Sequence, residues 1–181
     1  MTAICGFRDP AGTVWIGADT RVVSGSFIVP TECRKIVRAG VWRIGQAGSA
    51  AAGAALQAAD NMLARCADVD ALAREIRRVF RNAEFSDCKD KNHPGPPEYG
   101  QEIIVATPNG IWEITTDGVV IEPIGRFIAI GRAQEVCYGA AAMLMRYQPE
   151  LTGAAFLSLV LQTAADFYMS VAAPFHIERV C

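Results

Sequence analysis

The second residue of this 181-residue chain is a threonine, and a threonine in that position can bring two catalytic groups together. A threonine hydroxyl is a poor nucleophile unless a neighbouring base takes its proton. If Met1 is removed, Thr2 carries a free α-amine, whose ordinary pKa of about 7.7–8.0 suits a general base near neutral pH. One residue then supplies both the nucleophile and the base. We expect the small side chain of Thr2 to permit the removal of Met1.

A base of this kind benefits from a fixed cation that lowers the pKa of the amine, and from an acid that holds the cation. Asp19 ends one predicted strand and Lys35 begins another, so the two side chains can meet at neighbouring strand ends. The same spacing also fits an ordinary surface ion pair. The residues alone therefore leave both interpretations of Asp19 and Lys35 open.

Other catalytic patterns are missing from the sequence. It contains no serine nucleophile elbow, no Walker A loop and no dinucleotide-binding glycine fingerprint. The two histidines, His93 and His176, lie far apart, and the six cysteines include no C-x-x-C pair, which argues against a zinc site. The sequence therefore predicts no metal and no cofactor.

The composition narrows the class of protein. Hydrophobic residues make up 51% of the chain and charged residues 20%, which is typical of a packed globular domain and not of a disordered chain. A net charge of −2 argues against a dedicated binder of nucleic acids or anionic membranes. No basic segment typical of an export signal precedes the first strand, so we expect a cytoplasmic protein with reduced thiols.

The first eighty residues are predicted to form strands followed by two helices. Small residues from Gly48 onward suit a helix packed closely on a sheet, with Ser49 as its N-cap. The second helix has an apolar face and an arginine face, and the arginine face either meets solvent or contacts another subunit. The predicted elements are strands Ala3–Arg8, Thr13–Ala18, Arg34–Arg38 and Val41–Gln46, and helices from Ser49 and over Asp70–Asn82.

A polar, proline-rich loop at 84–100 separates these elements from the second part of the chain. Asn109-Gly110 and Asp117-Gly118 are strong hairpin signals. The apolar stretch Leu151–Ala173 contains Gln162 and Asp166, so we expect a buried helix there and not a membrane span. The predicted elements are strands Glu102–Thr107, Ile111–Thr116, Val119–Glu122, Phe127–Ile130 and Phe175–Val180, and helices Ala133–Tyr147 and Thr152–Tyr168.

The order of elements is strands, two helices, strands, two helices and a final strand. It lacks the βαβ alternation of a doubly wound parallel sheet. Two antiparallel sheets packed face to face, each with two helices on its outer face, would bury all the apolar stripes. The sequence therefore predicts one α+β domain over residues 1–181, folded as a four-layer αββα sandwich.

The ordered motifs of the chain resemble those of proteasome β subunits, with the bacterial HslV peptidase closest in size. Nearly the whole chain outside the 84–100 loop takes part in this resemblance, and the later segments resemble the second sheet of the family. The similar segments are Thr2, Val14–Arg21, Arg34–Ile36, Gly45–Ala51, Ile103–Ala106, Gly110–Ile114 and Ile128–Gly131.

The resemblance implies the N-terminal-nucleophile (Ntn) hydrolase fold and a threonine-type endopeptidase. In that family the threonine attacks a peptide carbonyl and forms an acyl-enzyme, which water hydrolyses. By resemblance, Thr2 matches the nucleophile and Asp19 and Lys35 match the charged pair. Gly48 matches the glycine whose backbone N–H faces the oxyanion, although close packing of a helix on a sheet also explains a glycine there.

Two further positions and the partners also follow from the resemblance. Asp166 matches an acid near the last helix, and Gln46 matches a position in the substrate pocket. The resemblance implies homo-oligomeric stacked rings, hexameric or heptameric, that enclose the active sites and receive protein or peptide substrates. An ATPase unfoldase cap is a candidate partner.

The chain departs from the family pattern at two serine positions. Arg132 follows Gly131 where the family usually has serine, and Met169 stands where an Asp-x-x-Ser pattern would place serine after Asp166. These departures motivate a second hypothesis, a catalytically inactive ring subunit or scaffold. A third hypothesis keeps the N-terminal nucleophile but has it act on small-molecule amides or in acyl transfer.

Overall fold

The computed structural model describes residues 2–24, 27–83 and 101–181. The first part of the chain forms strands followed by helices, as predicted. Its elements are β1 (Ile4–Arg8), β2 (Val14–Asp19), β3 (Arg21–Ser24), β4 (Phe27–Glu32), β5 (Ile36–Ala39), β6 (Trp42–Ala47), α1 (Ala50–Ala58), α2 (Asp60–Leu63) and α3 (Val69–Asn82).

The second part of the chain also follows the predicted order. Gly118 has a φ of +79°, which explains why glycine occupies the turn between the second and third of its strands. Its elements are β7 (Glu102–Thr107), β8 (Gly110–Ile114), β9 (Val120–Ile121), β10 (Phe127–Ile130), α4 (Gln134–Tyr147), α5 (Gly153–Phe167) and β11 (Phe175–Arg179).

Two antiparallel sheets form the body of the fold, one of four strands in the order β10-β1-β2-β11 and one of five in the order β5-β6-β7-β8-β9. β3 and β4 pair with each other as a separate hairpin. β1 is central in its sheet, because Ile4 pairs with Ala18 of β2 on one side and with Ile130 of β10 on the other.

The two sheets pack face to face and helices cover both outer faces. Isoleucines from both sheets, among them Ile4 and Ile104, fill the space between them. α1, α2 and α3 bury their apolar side chains on the five-stranded sheet, and α4 and α5 bury theirs on the four-stranded sheet. The predicted αββα sandwich is therefore confirmed, with three helices instead of two on one face.

Glycines allow the two sheets to approach closely. A Cβ atom added at Gly45 would lie 2.7 Å from Cγ2 of Ile4 in the opposite sheet, and one added at Gly6 would lie 2.9 Å from Cγ2 of Ile111. Side chains at these two positions would push the sheets apart, so the close spacing of the inter-sheet core depends on both glycines.

Two details of the strand prediction are wrong. The resemblance assigns Ile128–Gly131 to the second sheet, but β10 pairs with β1 in the four-stranded sheet. The sequence prediction also has no strands between Thr20 and Cys33, where the β3–β4 hairpin lies. In both cases the pairing partner decides the structure, and local residue patterns do not identify that partner.

The long helices bury the faces that their periodicity predicts. α3 begins after Asp68, whose carboxylate accepts a hydrogen bond from the Ala71 N–H at 2.7 Å, and it buries Leu72 and Ile76. α5 occupies the middle of the apolar stretch and packs on the four-stranded sheet. No helix within the described ranges is both long and apolar enough to cross a membrane. Met1 and the predicted loop at 84–100, with His93, lie outside the described residues.

Candidate active site

Thr2 lies two residues before the first residue of β1, where the space between the two sheets opens. Along β1, Ile4 faces the inter-sheet core whereas Cys5 faces the helices, and Thr2 has the parity of Ile4. The backbone beside Thr2 is fixed by Asp19, because the Ala3 N–H donates to Asp19 Oδ1 at 2.9 Å and the Asp19 N–H donates to the Ala3 carbonyl at 3.1 Å. The nucleophile candidate is thus held at a defined place in the fold.

Asp19 and Lys35 form an ion pair next to this position. The carboxylate of Asp19 is fully buried, and the Nζ atom of Lys35 lies 2.8 Å from each of its oxygens. Asp19 Oδ2 also accepts a hydrogen bond from the Arg21 N–H at 3.1 Å. These bonds offset the cost of burying the charge, so the pair is an internal feature and not a surface ion pair.

Gly48 forms the turn from β6 into α1. Its φ of +143° favours glycine, and a Cβ atom there would overlap the side-chain oxygen of Gln101. The next residue, Ser49, is the predicted N-cap of α1 and accepts a hydrogen bond from the Ala51 N–H at 3.3 Å. Gly48 therefore sits at the N-terminal end of a helix, where the peptide dipoles favour negative charge.

Two buried glutamines support this turn. The side-chain oxygen of Gln101 accepts a hydrogen bond from the Ser49 N–H at 2.9 Å and contacts the side-chain amide group of Gln46. Both glutamines are buried beneath the turn. They satisfy polar groups that would otherwise be left unpaired inside the protein, and so they fix the backbone around Gly48.

A cavity of about 370 Å³ lies beside these residues. Thr2, Lys35 and Gly48 all line it, together with the apolar Val37. The described residues that line it include the cations Arg21, Arg34 and Lys35 but no carboxylate. The remaining lining residues are Val22, Val23, Cys33, Gln46, Ala50, Gly53, Ala54 and Gln57. The cavity is large enough for an amino-acid side chain and opens next to the Thr2 position.

Thr2 also borders a second cavity of about 240 Å³. Its lining includes Gly48 and Gly131, which follows β10, and the charged residues Glu102 and Arg132. The Gly131 N–H donates a hydrogen bond to Glu102 Oε2 at 2.7 Å. Thr2 therefore lies between two cavities, and the second one contains a carboxylate.

A cysteine on the same strand is not a rival nucleophile. Cys5 is completely buried, and burial raises the pKa of its thiol well above the ordinary value, with Cys137 adding to the effect. A thiol in such surroundings stays neutral and unreactive. Cys33, in contrast, is partly exposed and lines the larger cavity, so experiments that label the site need a Cys33 control.

Comparison with solved structures identifies the fold. BPH from Thiobacillus denitrificans, in complex with epoxomicin, superimposes with a TM-score of 0.75 at 21% identity over 99% of both chains. Eukaryotic HslV from Trypanosoma brucei gives a TM-score of 0.67 at 20% identity over 98% of both chains. The Anbu (Gly-1) mutant from Hyphomicrobium sp. strain MC1 gives 0.67 at 18% identity, over 99% of this chain and 87% of that one.

The chain has the proteasome-like Ntn-hydrolase fold. No family model matches the sequence, and no curated protein matches it either. The resemblance inferred from ordered motifs is thus confirmed by three-dimensional similarity over nearly the full chain, at identities at which overall sequence comparison finds no relative.

The proteasome-like fold brings four of the five candidate residues together and leaves one apart. Thr2, Lys35 and Gly48 line one cavity, and Asp19 binds Lys35. Asp166 lies on the exposed face of α5 and accepts a hydrogen bond from the Gln162 side chain at 2.9 Å.

The position of Asp166 follows from helical periodicity. Ala164, two residues earlier, is on the buried face of α5, and two residues correspond to about 200° of rotation around a helix. The side chain of Asp166 therefore lies on the face of α5 opposite to the buried face, and it lines neither of the two cavities beside Thr2. Ser170, close to the expected serine position, is buried after the end of α5.

Sequence reasoning did not identify Gln101 and Glu102 as site residues. Both stand at the start of β7, where Glu102 pairs with Ala47 immediately before Gly48. Polar residues at the first position of an apolar strand are common, so their types alone carry little information. The one available signal is the strand pairing, because the partner strand β6 leads directly into the Gly48 turn.

Proposed function

We propose that the protein is a threonine-type peptidase in which Thr2, freed of Met1, is the nucleophile. The observation that carries this proposal is the convergence of Thr2, the buried Lys35–Asp19 pair and the Gly48 turn at one cavity. The proteasome-like Ntn-hydrolase fold supports it, because the same residues belong to the motifs that resemble those of proteasome β subunits.

In the proposed reaction the α-amine of Thr2 takes the proton of the Thr2 hydroxyl. The hydroxyl oxygen then attacks the carbonyl carbon of the peptide bond and forms a tetrahedral intermediate. The protonated amine gives its proton to the leaving nitrogen, the C–N bond breaks, and an ester to Thr2 remains. Water hydrolyses this ester by the same proton route and restores the free hydroxyl.

Lys35 and Gly48 stabilise charge during these steps. The ammonium group of Lys35 favours the neutral form of the nearby amine, and Asp19 keeps Lys35 in place. The Gly48 N–H donates to the oxyanion, and one fixed donor of this kind contributes on the order of 3 kcal/mol to the stability of the transition state. The two buried glutamines keep this turn in position.

The proposal includes a homo-oligomeric ring assembly in the cytoplasm, built from one proteasome-like domain per chain, with an ATPase unfoldase as candidate partner. Large apolar side chains are exposed on or beside α4 and α5, which supports burial by further subunits. They are Tyr138, Met143, Tyr147, Leu159, Phe167 and Met169.

The scaffold hypothesis rests on a different observation. Arg132 is exposed and borders the second cavity, where the family pattern has a small serine. An inactive subunit would assemble into rings and show no reaction at Thr2 even with a free α-amine. An enzyme that acts on small-molecule amides would react at Thr2 but would remain monomeric, since it needs no enclosing chamber.

The test is the intact mass of a chain that starts at Thr2, before and after incubation with the peptide epoxyketone epoxomicin, the compound in the BPH complex. The α-amine and the hydroxyl of Thr2 together form a stable ring with this reagent. We expect one adduct in this chain and in Cys33→Ala, and none in Thr2→Ala. Adduct formation by Thr2→Ala would contradict the proposal.

Size-exclusion chromatography with light scattering separates the three hypotheses. An assembly with an adduct supports the peptidase, and an assembly without one supports the scaffold. A monomer with an adduct supports the enzyme for small-molecule amides.

A further inference from the structure

The turn after β10 packs directly on the main chain of Thr2. Gly131 has a φ of +90°, and a Cβ atom at this position would overlap the Thr2 carbonyl oxygen. Only glycine allows this close approach without strain. The backbone of Gly131 therefore packs directly against the backbone of the nucleophile candidate Thr2.

Glu102, the first residue of β7 in the five-stranded sheet, holds the Gly131 turn in place. Its side chain shares a strand face with Ile104 and Ala106, whose side chains fill the inter-sheet core. Glu102 therefore points into the space between the sheets and reaches Gly131, whose N–H it accepts at 2.7 Å. A hydrogen bond to a carboxylate is stronger than one between neutral groups, so it holds the turn firmly.

We propose that Glu102 is a positioning residue of the Thr2 site, which holds Gly131 against Thr2 and supplies negative charge beside the α-amine. The inference rests on the proposed function, because the α-amine acts as a base only in that reaction.

The distribution of charge around Thr2 singles out Glu102. Among the described residues that line either cavity, Glu102 is the one carboxylate. The carboxylate of Asp19 is already paired with Lys35. Glu113 lies on the neighbouring strand β8, and burial, followed by the charge of Glu102, raises its pKa. Within the described part of the chain, the charged or titratable groups that line the two cavities are Arg21, Cys33, Arg34, Lys35, Glu102 and Arg132.

These charges act on the amine in opposite directions. Lys35 and the arginines favour the neutral amine, whereas Glu102 favours the ammonium form. Glu102 thereby limits how far the cations lower the pKa of the amine, and it keeps the base strong enough to take the hydroxyl proton. Loss of this carboxylate moves the amine toward lower pKa.

Two substitutions separate the hydrogen bond from the charge. Glu102→Gln keeps an oxygen that accepts the Gly131 N–H but removes the charge, whereas Glu102→Ala removes both. Glu122→Gln is the matched control, because Glu122 borders a cavity beside Arg8 at the far end of β1. All variants are made in the chain that starts at Thr2.

The pKa of the α-amine is measured by NMR titration with ¹³C-labelled threonine, with the Thr2 signal identified by its loss in Thr2→Ser. We expect a decrease of about half a unit in Glu102→Gln and no change in Glu122→Gln. An unchanged pKa in Glu102→Gln would overturn the charge role of Glu102. This titration requires no turnover, so it tests the charge role of Glu102 even if the chain is catalytically inactive.

The rate of epoxomicin addition tests the positioning role. At a pH above the pKa of the amine, we expect Glu102→Ala to react about tenfold more slowly than the unsubstituted chain. The rate of Glu102→Gln should lie within about threefold of the rate of the unsubstituted chain. Equal rates in all variants would overturn the positioning role. If the unsubstituted chain has a free amine but forms no adduct, the proposed peptidase function is refuted. The NMR titration then remains the test of the charge role of Glu102.

Discussion

The side chain of Lys35 reaches across to Asp19 and places its Nζ atom 2.8 Å from both carboxylate oxygens, although the two residues belong to different sheets. Asp19 ends β2 in the four-stranded sheet, and Lys35 immediately precedes β5 in the five-stranded sheet. The same carboxylate fixes the backbone of Ala3 beside the nucleophile. This ion pair therefore serves the stability of the fold and the chemistry of the site together.

Lys35→Met should lose both stability and reactivity. It leaves the buried Asp19 carboxylate without its cation, and breaking a buried pair from one side costs about 3–5 kcal/mol. Urea unfolding measures this loss, and we expect Asp19→Asn combined with Lys35→Met to recover a large part of it. Neither variant should form an epoxomicin adduct at the normal rate. A fully stable Lys35→Met protein would show that the pair is weaker than its geometry indicates.

Gly48→Ala should reduce peptidase activity about a hundredfold while the protein stays folded. Alanine is strained at a φ of +143°, and its Cβ atom would displace the Gln101 oxygen that holds the Ser49 N–H. The oxyanion donor then moves from its position. The measurements are kcat and KM for a fluorogenic peptide, with kcat as the affected quantity.

Gly139→Ala is the matched control for Gly48→Ala. Gly139 lies within α4, and nothing lies within 4 Å of an added Cβ atom. The substitution should stabilise the protein by about 0.5–1 kcal/mol and leave kcat unchanged. Equal losses in both variants would mean that activity responds to any glycine substitution and not to the Gly48 turn.

The larger cavity should disfavour basic residues in the substrate. We expect it to take the side chain that precedes the scissile bond, and the charged residues among its described lining are all cations. Peptides with a neutral or acidic residue there should therefore be cleaved several-fold faster than those with Lys or Arg, most clearly at low salt. Arg34→Glu, which changes an exposed lining residue, should reduce this preference. A library of fluorogenic peptides measures it, and a preference for Lys would contradict the expectation.

Glu113→Gln should stabilise the protein at neutral pH but not in acid. Burial, and then the charge of Glu102, raise the pKa of Glu113 above its ordinary value. The folded state then binds more protons than the unfolded state between the two pKa values, so the stability due to Glu113 falls as the pH rises through them. Because Glu113 is partly exposed, the expected gain in Tm at pH 7.5 is small, on the order of 1 °C. Thermal unfolding should show that the gain disappears near pH 4, and a gain of equal size at both pH values would rule out this cause.

Local patterns identify most of the elements of the fold. The alternation in β1, the turn signals around β8 and the buried face of α3 all follow from residue types and their spacing. The hairpin β3–β4 does not, because its strands pair with each other and with neither of the two sheets. The sheet that receives β10 could not be predicted either, since pairing between distant strands depends on the whole fold.

The site residues also divide into those that the local sequence predicts and those that only the fold brings to the site. Thr2 and the Asp19–Lys35 pair could be proposed from chemistry alone, because their residue types are required by the reaction. Asp166 illustrates the limit of motif matching, since its place on a helix determines the direction of its side chain. Glu102 enters the site only through the pairing of β7 with β6, which is not a property of its own neighbourhood in the sequence.

The closely packed layer between the sheets also has a consequence for distant mutations. Thr2 and Asp19 lie beside or at the end of strands of one sheet, whereas Lys35, Gly48 and Glu102 lie beside or at the start of strands of the other. The site is therefore complete only when the two sheets are correctly placed relative to each other. The contact of Gly45 with Ile4 helps to set that relative placement. A bulkier residue at Gly45, which lines neither cavity beside Thr2, would shift one sheet relative to the other and misalign nucleophile and oxyanion donor. The packing of the inter-sheet core thus sets the relative positions of the catalytic groups. A substitution of one apolar residue by another in this core can therefore reduce the rate of the reaction.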